Sequence, residues 1–271
     1  MNGPAIGFNQ GQFGDLCMST VAARAFKSQF PDTKLILGIN KKYESIKEIF
    51  TNNAYFDGIH IWDGYDNWPT EEDKRHMLET KYSKVFNPMP HHTDSLWYLK
   101  SHQTEELCLM HGLTPPSDLT VSLNENHLLI ERGNYIAVSF SGVTRGEAKS
   151  ISLDKAKVLC SLIKEKFGLE AYQIGLPEES SFSSSRFSGS FIDSIKFMLG
   201  AKLLVTIDTS WAWIASGYAK PTLGLYSSNY YSGAKTAKNW QPINRNAIYL
   251  ESENVNDINQ ETILNEISRL L

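Results

Sequence analysis

The chain of 271 residues has few cysteines, no long apolar run and no excess of basic residues. Cys17, Cys108 and Cys160 are far apart and odd in number, which fits neither a disulfide framework nor the paired spacing of a zinc site. No stretch approaches the ~20 apolar residues that span a bilayer. A formal net charge of −4 argues against strong sequence-independent binding to nucleic acid.

The N-terminal residues also lack the features of an export signal. The segment 1–6 has neither the basic block nor the apolar block of a secretory peptide. We therefore expect a cytoplasmic protein whose membrane contact, if it has any, is peripheral and at the inner membrane surface. The three cysteines are then expected to be reduced, structural thiols.

Short apolar segments alternate twice along the chain with segments of helical periodicity, which is typical of helices that cover a parallel sheet. In the first half the predicted strands are 5–8, 34–39, 58–62 and 84–86, and the predicted helices begin after residue 14 and span 43–50 and 95–110. In the second half the predicted strands are 135–140, 171–174, 203–207 and 222–226, and the predicted helices are 153–167, 191–199, one from residue 209 and one at the end of the chain. This pattern predicts two Rossmann-like α/β domains.

Two prolines mark the break between the halves. Pro115 and Pro116 restrict φ and lack backbone donors, so the preceding helix cannot continue through them. We place the interdomain region between about residues 113 and 133, with domains at 1–125 and 126–271. A further hypothesis is that the last helix packs back on the N-terminal domain. The Ser-rich segment 180–190 has too few apolar residues to pack and is predicted to be a loop.

Ligands of doubly wound folds bind beyond the carboxyl ends of the strands, so polar residues that directly follow predicted strands are the candidates for a site. The first group, from Gly11 to Asp15, follows the first strand and places a carboxylate at a helix N-terminus. Asp15 either takes part in catalysis or caps the helix and complements its dipole. The spacing lacks the G-x-G-x-x-G pattern of dinucleotide sites, which disfavours a nicotinamide cofactor.

Two more groups follow strands in the second half. Arg145 and Lys149 come after the strand 135–140, where they either neutralise a diphosphate or are solvated surface cations. Glu178 and Glu179 come after the next strand. A carboxylate there either accepts hydrogen bonds from a ribose or base, or belongs to an exposed acidic turn.

The fourth group lies where a continuously apolar strand ends and a helix begins. The amides of a helix N-terminus bind anions, and the hydroxyls of Thr209 and Ser210 can add donors. The alternative is that Asp208 or Thr209 only caps the helix. Trp211 and Trp213 point in different directions on a helix, so at most one is expected in the core, and the other is expected to stack on a base or sugar.

Three histidines in the first half are candidate metal ligands. His91 and His92 follow the strand 84–86 and either contact an acceptor or are ordinary loop residues. Together with His102 they suggest a metal site, but no acid or cysteine stands at a supporting spacing. We predict no metal and no bound cofactor.

Three of these groups, in this order, resemble the heptosyltransferases of glycosyltransferase family 9. The matching patches are Gly14-Asp15, the turn with Thr144, Arg145 and Lys149, and Asp208-Thr209-Ser210 followed by Ala219-Lys220-Pro221-Thr222-Leu223-Gly224-Leu225-Tyr226. The resemblance covers most of the chain. It implies the B-type glycosyltransferase architecture, in which two Rossmann-like domains face a central cleft. In this chain the domain 1–125 would then bind the acceptor, and the domain 126–271 would bind the nucleotide-sugar donor. It also implies metal-independent, inverting transfer of a sugar from a nucleotide diphosphate donor to an acceptor hydroxyl.

The resemblance also implies roles for single residues. Asp15 matches the general base on the acceptor hydroxyl, and Lys149 matches the lysine that contacts the donor phosphate. Asp208, Thr209 and Ser210 match the segment that cradles the diphosphate. The other predicted contacts are Arg145 with the diphosphate, Glu178, Trp211 and Trp213 with the donor nucleoside, and Gln12, Gly14, His91 and His92 with a glycan, glycolipid or other acceptor.

Two positions depart from the family pattern. Ser210 stands where the family has a glycine, and Trp213 stands where it has a histidine. These departures leave the donor sugar and base open. They also favour a competing interpretation, a degenerate module that binds a nucleotide or sugar without turnover, against which the presence of Asp15 speaks.

Two other enzyme classes compete with a family 9 transferase. A sugar-nucleotide epimerase shares the architecture but needs an acid and a base around the sugar ring, and no such pair is evident. A glycosyltransferase acting on DNA bases is disfavoured by the net negative charge. We therefore predict a glycosyltransferase.

Overall fold

A computed structural model describes residues 3–8, 12–63, 72, 76–77, 79, 81–86, 101–124, 128, 130–142, 149–175, 181–228 and 237–271. The chain divides into two compact units, Met1–His127 and Leu128–Leu271. Each unit contains one parallel sheet together with helices. The predicted α/β class, with a sheet in each half, is confirmed.

The first unit is built on four strands. These are β1 (Ala5–Phe8), β2 (Leu35–Asn40), β3 (Gly58–Trp62) and β4 (Lys84–Phe86), and the helical segments are α1 (Phe13–Gln29), the 3-10 helix Lys41–Phe50 and α2 (Gln103–Met110). The strand order is β3-β2-β1-β4, and all pairs are parallel. Helix α2 begins later than predicted because His102 caps it, its ring nitrogen accepting from the Thr104 amide at 3.3 Å. Residues 95–100 of the predicted helix lie outside the described residues.

Arg24 on α1 holds the segment that follows α2 against this unit. Its guanidinium donates to the carbonyl oxygens of Asp118 at 2.5 Å and Thr120 at 3.0 Å. Its Nε donates to the Tyr55 hydroxyl at 3.0 Å, and the cation lies 5.1 Å from the centre of that ring. One planar side chain thus organises a stretch of chain that has no regular structure of its own.

The second unit is built on six strands. These are β5 (Tyr135–Ser139), β6 (Glu170–Gln173), β7 (Ser185–Arg186), β8 (Leu203–Ile207), β9 (Thr222–Ser227) and β10 (Ala247–Ser252), and the α-helices are α3 (Leu153–Phe167), α4 (Phe191–Gly200), α5 (Ser210–Gly217) and α6 (Gln260–Leu270). All neighbours are parallel in the order β7-β6-β5-β8-β9-β10. In chain order within the unit this is 3-2-1-4-5-6, the order of doubly wound nucleotide-binding sheets.

Local signals set the bounds of α3 and the place of α6. Ser152 caps the start of α3, and Gly168, with φ of 64°, ends it in the left-handed region that glycine adopts without strain. The apolar face of α6, with Ile263 and Ile267, lies in the core of its own unit. The hypothesis that α6 also contacts the first domain stays a prediction.

The prediction of a loop for the Ser-rich segment was wrong in part. Its residues Ser185–Arg186 form β7, which pairs with β6 at the edge of the sheet. Phe182 is buried and stacks on Phe140 with ring centres 5.2 Å apart. The Ser183 hydroxyl donates to the Ala171 carbonyl oxygen at 2.5 Å. The prediction counted apolar residues only, whereas serine hydroxyls also hold this segment to the sheet.

Gly224 in β9 makes room for two tyrosine rings. A Cβ atom at this position would lie 2.5 Å from Cδ1 of Tyr249 and 2.8 Å from Cε2 of Tyr226. We expect Gly224→Ala to lower the free energy of unfolding by roughly 1–3 kcal/mol, because the rings must shift within a packed sheet. Urea unfolding measures the loss. Gly142→Ala is the control, since its nearest neighbours would be 3.7 Å away, and an equal loss in both variants would contradict the packing argument.

Lys220 is a buried cation that closes the end of α4. Its ammonium donates to the carbonyl oxygens of Leu199 at 3.0 Å and of Ala201, and only 4% of the residue is exposed. Burial lowers the pKa of Lys220 to about 8, and the charge of Arg132 adds to the effect. The lysine thus loses its proton more readily in the folded chain than in the unfolded chain.

This difference predicts a pH dependence of stability. Between about pH 8 and the ordinary lysine pKa of 10.5 the unfolded chain binds more protons at Lys220, so this group raises the free energy of unfolding as pH increases. Below pH 8 both states are protonated and the contribution is flat. We expect the urea midpoint of the wild type to rise relative to that of Lys220→Met as the pH increases through this window. A constant difference would contradict the lowered pKa.

Candidate functional site

The second sheet has its switch point between β5 and β8, where successive connections turn to opposite sides. These strands pair in register from Ile136↔Leu203 to Ser139↔Thr206. The segments that follow Ser139 and Ile207 therefore leave the sheet side by side. Ligands of such sheets bind in the crevice at this point, outside the carboxyl ends of the strands.

Lys149 and Asp208 meet at this switch point. The Lys149 ammonium lies 2.9 Å from Oδ2 of Asp208, and the two side chains are 15% and 16% exposed. Gly142 borders the lysine, because a Cβ atom there would lie 3.7 Å from the Lys149 Cβ. Two of the predicted site residues, 59 positions apart in the chain, are thus brought into one partly buried ion pair.

The start of α5 lies next to this ion pair in the chain. Thr209 is the N-cap residue, but its side chain makes no capping hydrogen bond. Its hydroxyl instead lies 3.1 Å from the Thr206 hydroxyl, and Ser210 is the first helical residue. The interpretation of Thr209 as a side-chain cap was wrong. Among the first amides of α5, that of Ala212 donates to the Thr209 carbonyl oxygen at 3.1 Å, and amides at a helix N-terminus favour an anion.

The tryptophans of α5 contradict the prediction that at most one of them lies in the core. Trp211 is 6% exposed and Trp213 is 4% exposed. Trp211 packs against Phe191 with ring centres 5.3 Å apart. Helix α5 is buried on all sides from Trp211 to Ser216, so rings that point in different directions both meet protein. Their contact with a donor nucleoside stays a prediction.

Tyr226 is a residue at this edge to which the sequence analysis assigned no role. It lies in β9, one position beyond the Ile207↔Leu225 pair that joins β8 to β9, and is therefore the neighbour of Asp208 in register. Its ring is fully buried, and its hydroxyl has no hydrogen-bond partner among the described residues. A tyrosine as the last residue of the predicted apolar strand 222–226 was the signal that could have identified it.

In the first unit, Asp15 lies in the first turn of α1, after β1. The order β3-β2-β1-β4 gives this sheet its switch point between β1 and β4. Oδ2 of Asp15 accepts a hydrogen bond from the backbone amide of Gln12 at 2.7 Å. The helix-capping interpretation of Asp15 therefore describes a contact that is present, and catalysis would be a second task. Gln12 is exposed and Gly14 is buried.

Asp15 also acts on the thiol two residues later. Burial raises the pKa of the Cys17 thiol, and the negative charge of Asp15 raises it further. Burial likewise raises the pKa of Cys108 and Cys160 to about 11. All three thiols stay protonated and form no disulfide, which agrees with the prediction of structural cysteines.

Four predicted contacts, those of Arg145, Glu178, His91 and His92, lie outside the described residues. Within the described ranges no group of three or more His, Cys, Asp or Glu side chains is arranged to hold a metal ion. In that part of the chain, too, helices of sufficient length and apolar character to cross a bilayer are absent.

Comparison with known proteins identifies the fold. No protein-family model and no curated protein sequence matches the chain. Its structure is similar to that of the E. coli heptosyltransferase WaaC with ADP, with a TM-score of 0.69 at 12% identity over 98% of this chain and 100% of that one. A glycosyl transferase family 9 protein from Veillonella parvula gives 0.72 at 13% identity over 98% and 97%.

A third similar structure is the iron-containing dodecameric glycosyltransferase TibC from enterotoxigenic E. coli. Its TM-score is 0.67 at 11% identity, over 99% of this chain and 76% of that one. Together these structures confirm the predicted resemblance to family 9 heptosyltransferases at the level of the fold. The α/β architecture described above is the one on which those enzymes are built.

Proposed function

We propose that this protein is a glycosyltransferase that moves a sugar from a nucleoside diphosphate donor to an acceptor hydroxyl. The observation that carries the proposal is the Lys149–Asp208 ion pair, which lies at the switch point of the second sheet and directly before α5. This edge offers a cation and helix amides, the two features that bind a diphosphate. The heptosyltransferase fold supports the same interpretation.

In the proposed reaction Asp15 is the general base. Its carboxylate takes the proton from the acceptor hydroxyl as that oxygen forms a bond to the anomeric carbon of the donor sugar. One carboxylate oxygen accepts the Gln12 amide, and a carboxylate has the capacity for further hydrogen bonds. The new bond forms on the face opposite to the leaving group, so a single displacement inverts the configuration of the sugar.

The diphosphate leaves in the same step. Negative charge grows on its oxygens as the bond to the sugar breaks, and groups that stabilise this charge lower the barrier. We assign this task to the Lys149 ammonium and to the first amides and the Ser210 hydroxyl of α5. The other predicted contacts, Arg145 with the diphosphate and Glu178 with the nucleoside, extend this proposal.

A thermal-shift panel of nucleoside diphosphates and nucleotide sugars tests the proposal. A ligand that binds only the folded state raises the melting temperature, so one nucleotide should stand out and identify the base of the donor. That nucleotide sugar is then supplied with candidate acceptors in a transfer assay. Binding without transfer would indicate the degenerate module, and no shift with any nucleotide would contradict the proposal as a whole.

Metal removal gives a second test. We propose that the charge on the diphosphate is met by Lys149 and the helix amides, so transfer should keep its rate after dialysis against a chelator. TibC, which has the same fold, contains iron, so this outcome is informative. Loss of transfer on chelation, with recovery on adding back one metal, would overturn the metal-independent mechanism and leave the transferase proposal standing.

A further inference from the structure

A cavity of about 340 Å³ lies in the second unit, at the edge of the sheet opposite to the candidate site. One wall is the face of α3 that carries Lys157, Cys160, Ser161 and Lys164, and the other is formed by the first residues of β6 and the segment 182–184. The ion pair of the candidate site, in contrast, follows the carboxyl ends of the strands. Small-molecule sites have volumes of ~300–1,000 Å³, so the cavity is large enough for a small ligand.

Among the described residues, the cavity wall carries one positive charge without a counter-charge. Lys164 pairs with Oε2 of Glu170 at 2.8 Å, and Oε1 of Glu170 accepts from the Ser185 hydroxyl at 2.9 Å. The hydrogen bond from Lys164, and then that from Ser185, lower the pKa of Glu170. Lys157 is exposed, and its ammonium has no carboxylate partner in the described part of the chain. The cavity therefore favours an anion.

Two exposed serine hydroxyls, one on each wall, are hydrogen-bond acceptors for such a ligand. Ser161 donates its proton to the carbonyl oxygen four residues earlier at 3.1 Å, and Ser184 donates to Glu170 at 3.4 Å. Because these protons are used within the protein, the hydroxyl oxygens keep lone pairs for donors of a ligand. Phe182 adds apolar surface to the lining, and its stacking on another ring of the core fixes its position.

We propose that this cavity binds a sugar phosphate, at a site separate from the proposed diphosphate site. The phosphate pairs with the Lys157 ammonium, and the carbon atoms of the sugar pack against Phe182. Hydroxyl groups of the sugar donate to Ser161 and Ser184. An exposed ammonium alone binds an anion weakly, so a molecule that combines an anion, hydroxyl donors and carbon atoms is preferred over free phosphate and over a neutral sugar. The inference does not depend on the transferase function.

Protection of Cys160 from a thiol reagent locates the ligand. Cys160 lines the cavity and is partly exposed, whereas Cys17 and Cys108 are fully buried and serve as internal controls. Glucose 6-phosphate, at about ten times its dissociation constant, should slow modification of Cys160 by methyl methanethiosulfonate about tenfold, because only the free protein reacts. Glucose and inorganic phosphate at the same concentration should protect much less. No protection by glucose 6-phosphate, or equal protection by inorganic phosphate, would overturn the proposal.

Calorimetric titration with glucose 6-phosphate is a second test that needs no thiol chemistry. We expect Lys157→Met to bind it about tenfold more weakly than the wild type, because a hydrogen bond to a charged group is lost. Lys166→Met removes a cation from the same helix outside the cavity lining and should bind it like the wild type. No binding to the wild type, or equal weakening in the two variants, would contradict the proposed site.

Competition with ADP separates this site from the proposed diphosphate site. ADP should bind Lys157→Met as tightly as it binds the wild type, and it should not displace glucose 6-phosphate, because the two sites lie at opposite edges of the sheet. Displacement by ADP would place both ligands in one site and overturn the proposal. Binding of glucose 6-phosphate without binding of any nucleotide would support this cavity and count against the proposed function alone.

Discussion

An Asp15→Asn variant is expected to lose sugar transfer by a factor of roughly 10²–10⁴ and to keep its affinity for the donor nucleotide. The amide has nearly the shape of the carboxylate but cannot take a proton from an acceptor hydroxyl. The binding groups assigned to the diphosphate, Lys149 and the start of α5, are untouched. Initial rates of transfer and a nucleotide titration, made on the same preparation, separate the two effects.

The helix cap needs its own control, because Asp15 also accepts the Gln12 amide. The chain offers a matched position in Asp193, which accepts from the Ser190 amide and hydroxyl in the first turn of α4. Asp193→Asn makes the same chemical change in a second helix cap. It should leave transfer unchanged. A similar loss of transfer in both variants would mean that Asp15 acts through the helix and not as a base.

A Lys149→Met variant is expected to bind the donor nucleotide on the order of 10- to 100-fold more weakly, since hydrogen bonds to charged groups are the strong ones. The variant should also be less stable by roughly 1–3 kcal/mol, because the Asp208 carboxylate loses its ammonium partner while it is only 16% exposed. Calorimetric titration measures the first effect and urea unfolding the second.

Lys164→Met is the matched control for the loss of a lysine in the same unit. Lys164 pairs with Glu170 at 2.8 Å, but its side chain is 65% exposed. Solvent screens such a pair, so its removal should change neither nucleotide affinity nor transfer. Wild-type affinity in Lys149→Met would remove the cation from the proposed site. Equal weakening in both variants would point to a general effect of net charge.

Strand positions were the most predictable part of the fold. Every strand that was predicted lies within one residue of its predicted bounds, because short apolar runs in a parallel sheet are buried on both faces, as Leu203–Ile207 is. Strands β7 and β10 were missed. β10 has intermediate exposure along most of its length, and β7 is held by serine hydroxyls, so neither carries the apolar signal that the prediction used.

Part of the candidate site could also be predicted. Lys149 and Asp208 were selected because each follows a predicted strand, and the 3-2-1-4-5-6 order brings these two strand ends together. The strand order itself could not be predicted, because the sequence pattern locates strands but does not say which of them are neighbours in the sheet. The burial of both Trp211 and Trp213 was missed because helical geometry gives the direction of a side chain but not whether protein or solvent lies in that direction.

The strand order has a consequence for how the chain folds during synthesis. β5 pairs on one side with β6 and on the other with β8, and β6 leaves the ribosome long before β8. Until Leu203–Ile207 emerges, β5 therefore presents an open edge of unpaired amides and carbonyls, Ile136 to Ser139, which other chains could pair with. The centre of this sheet is thus completed late, by the same strand that carries Asp208 to its place.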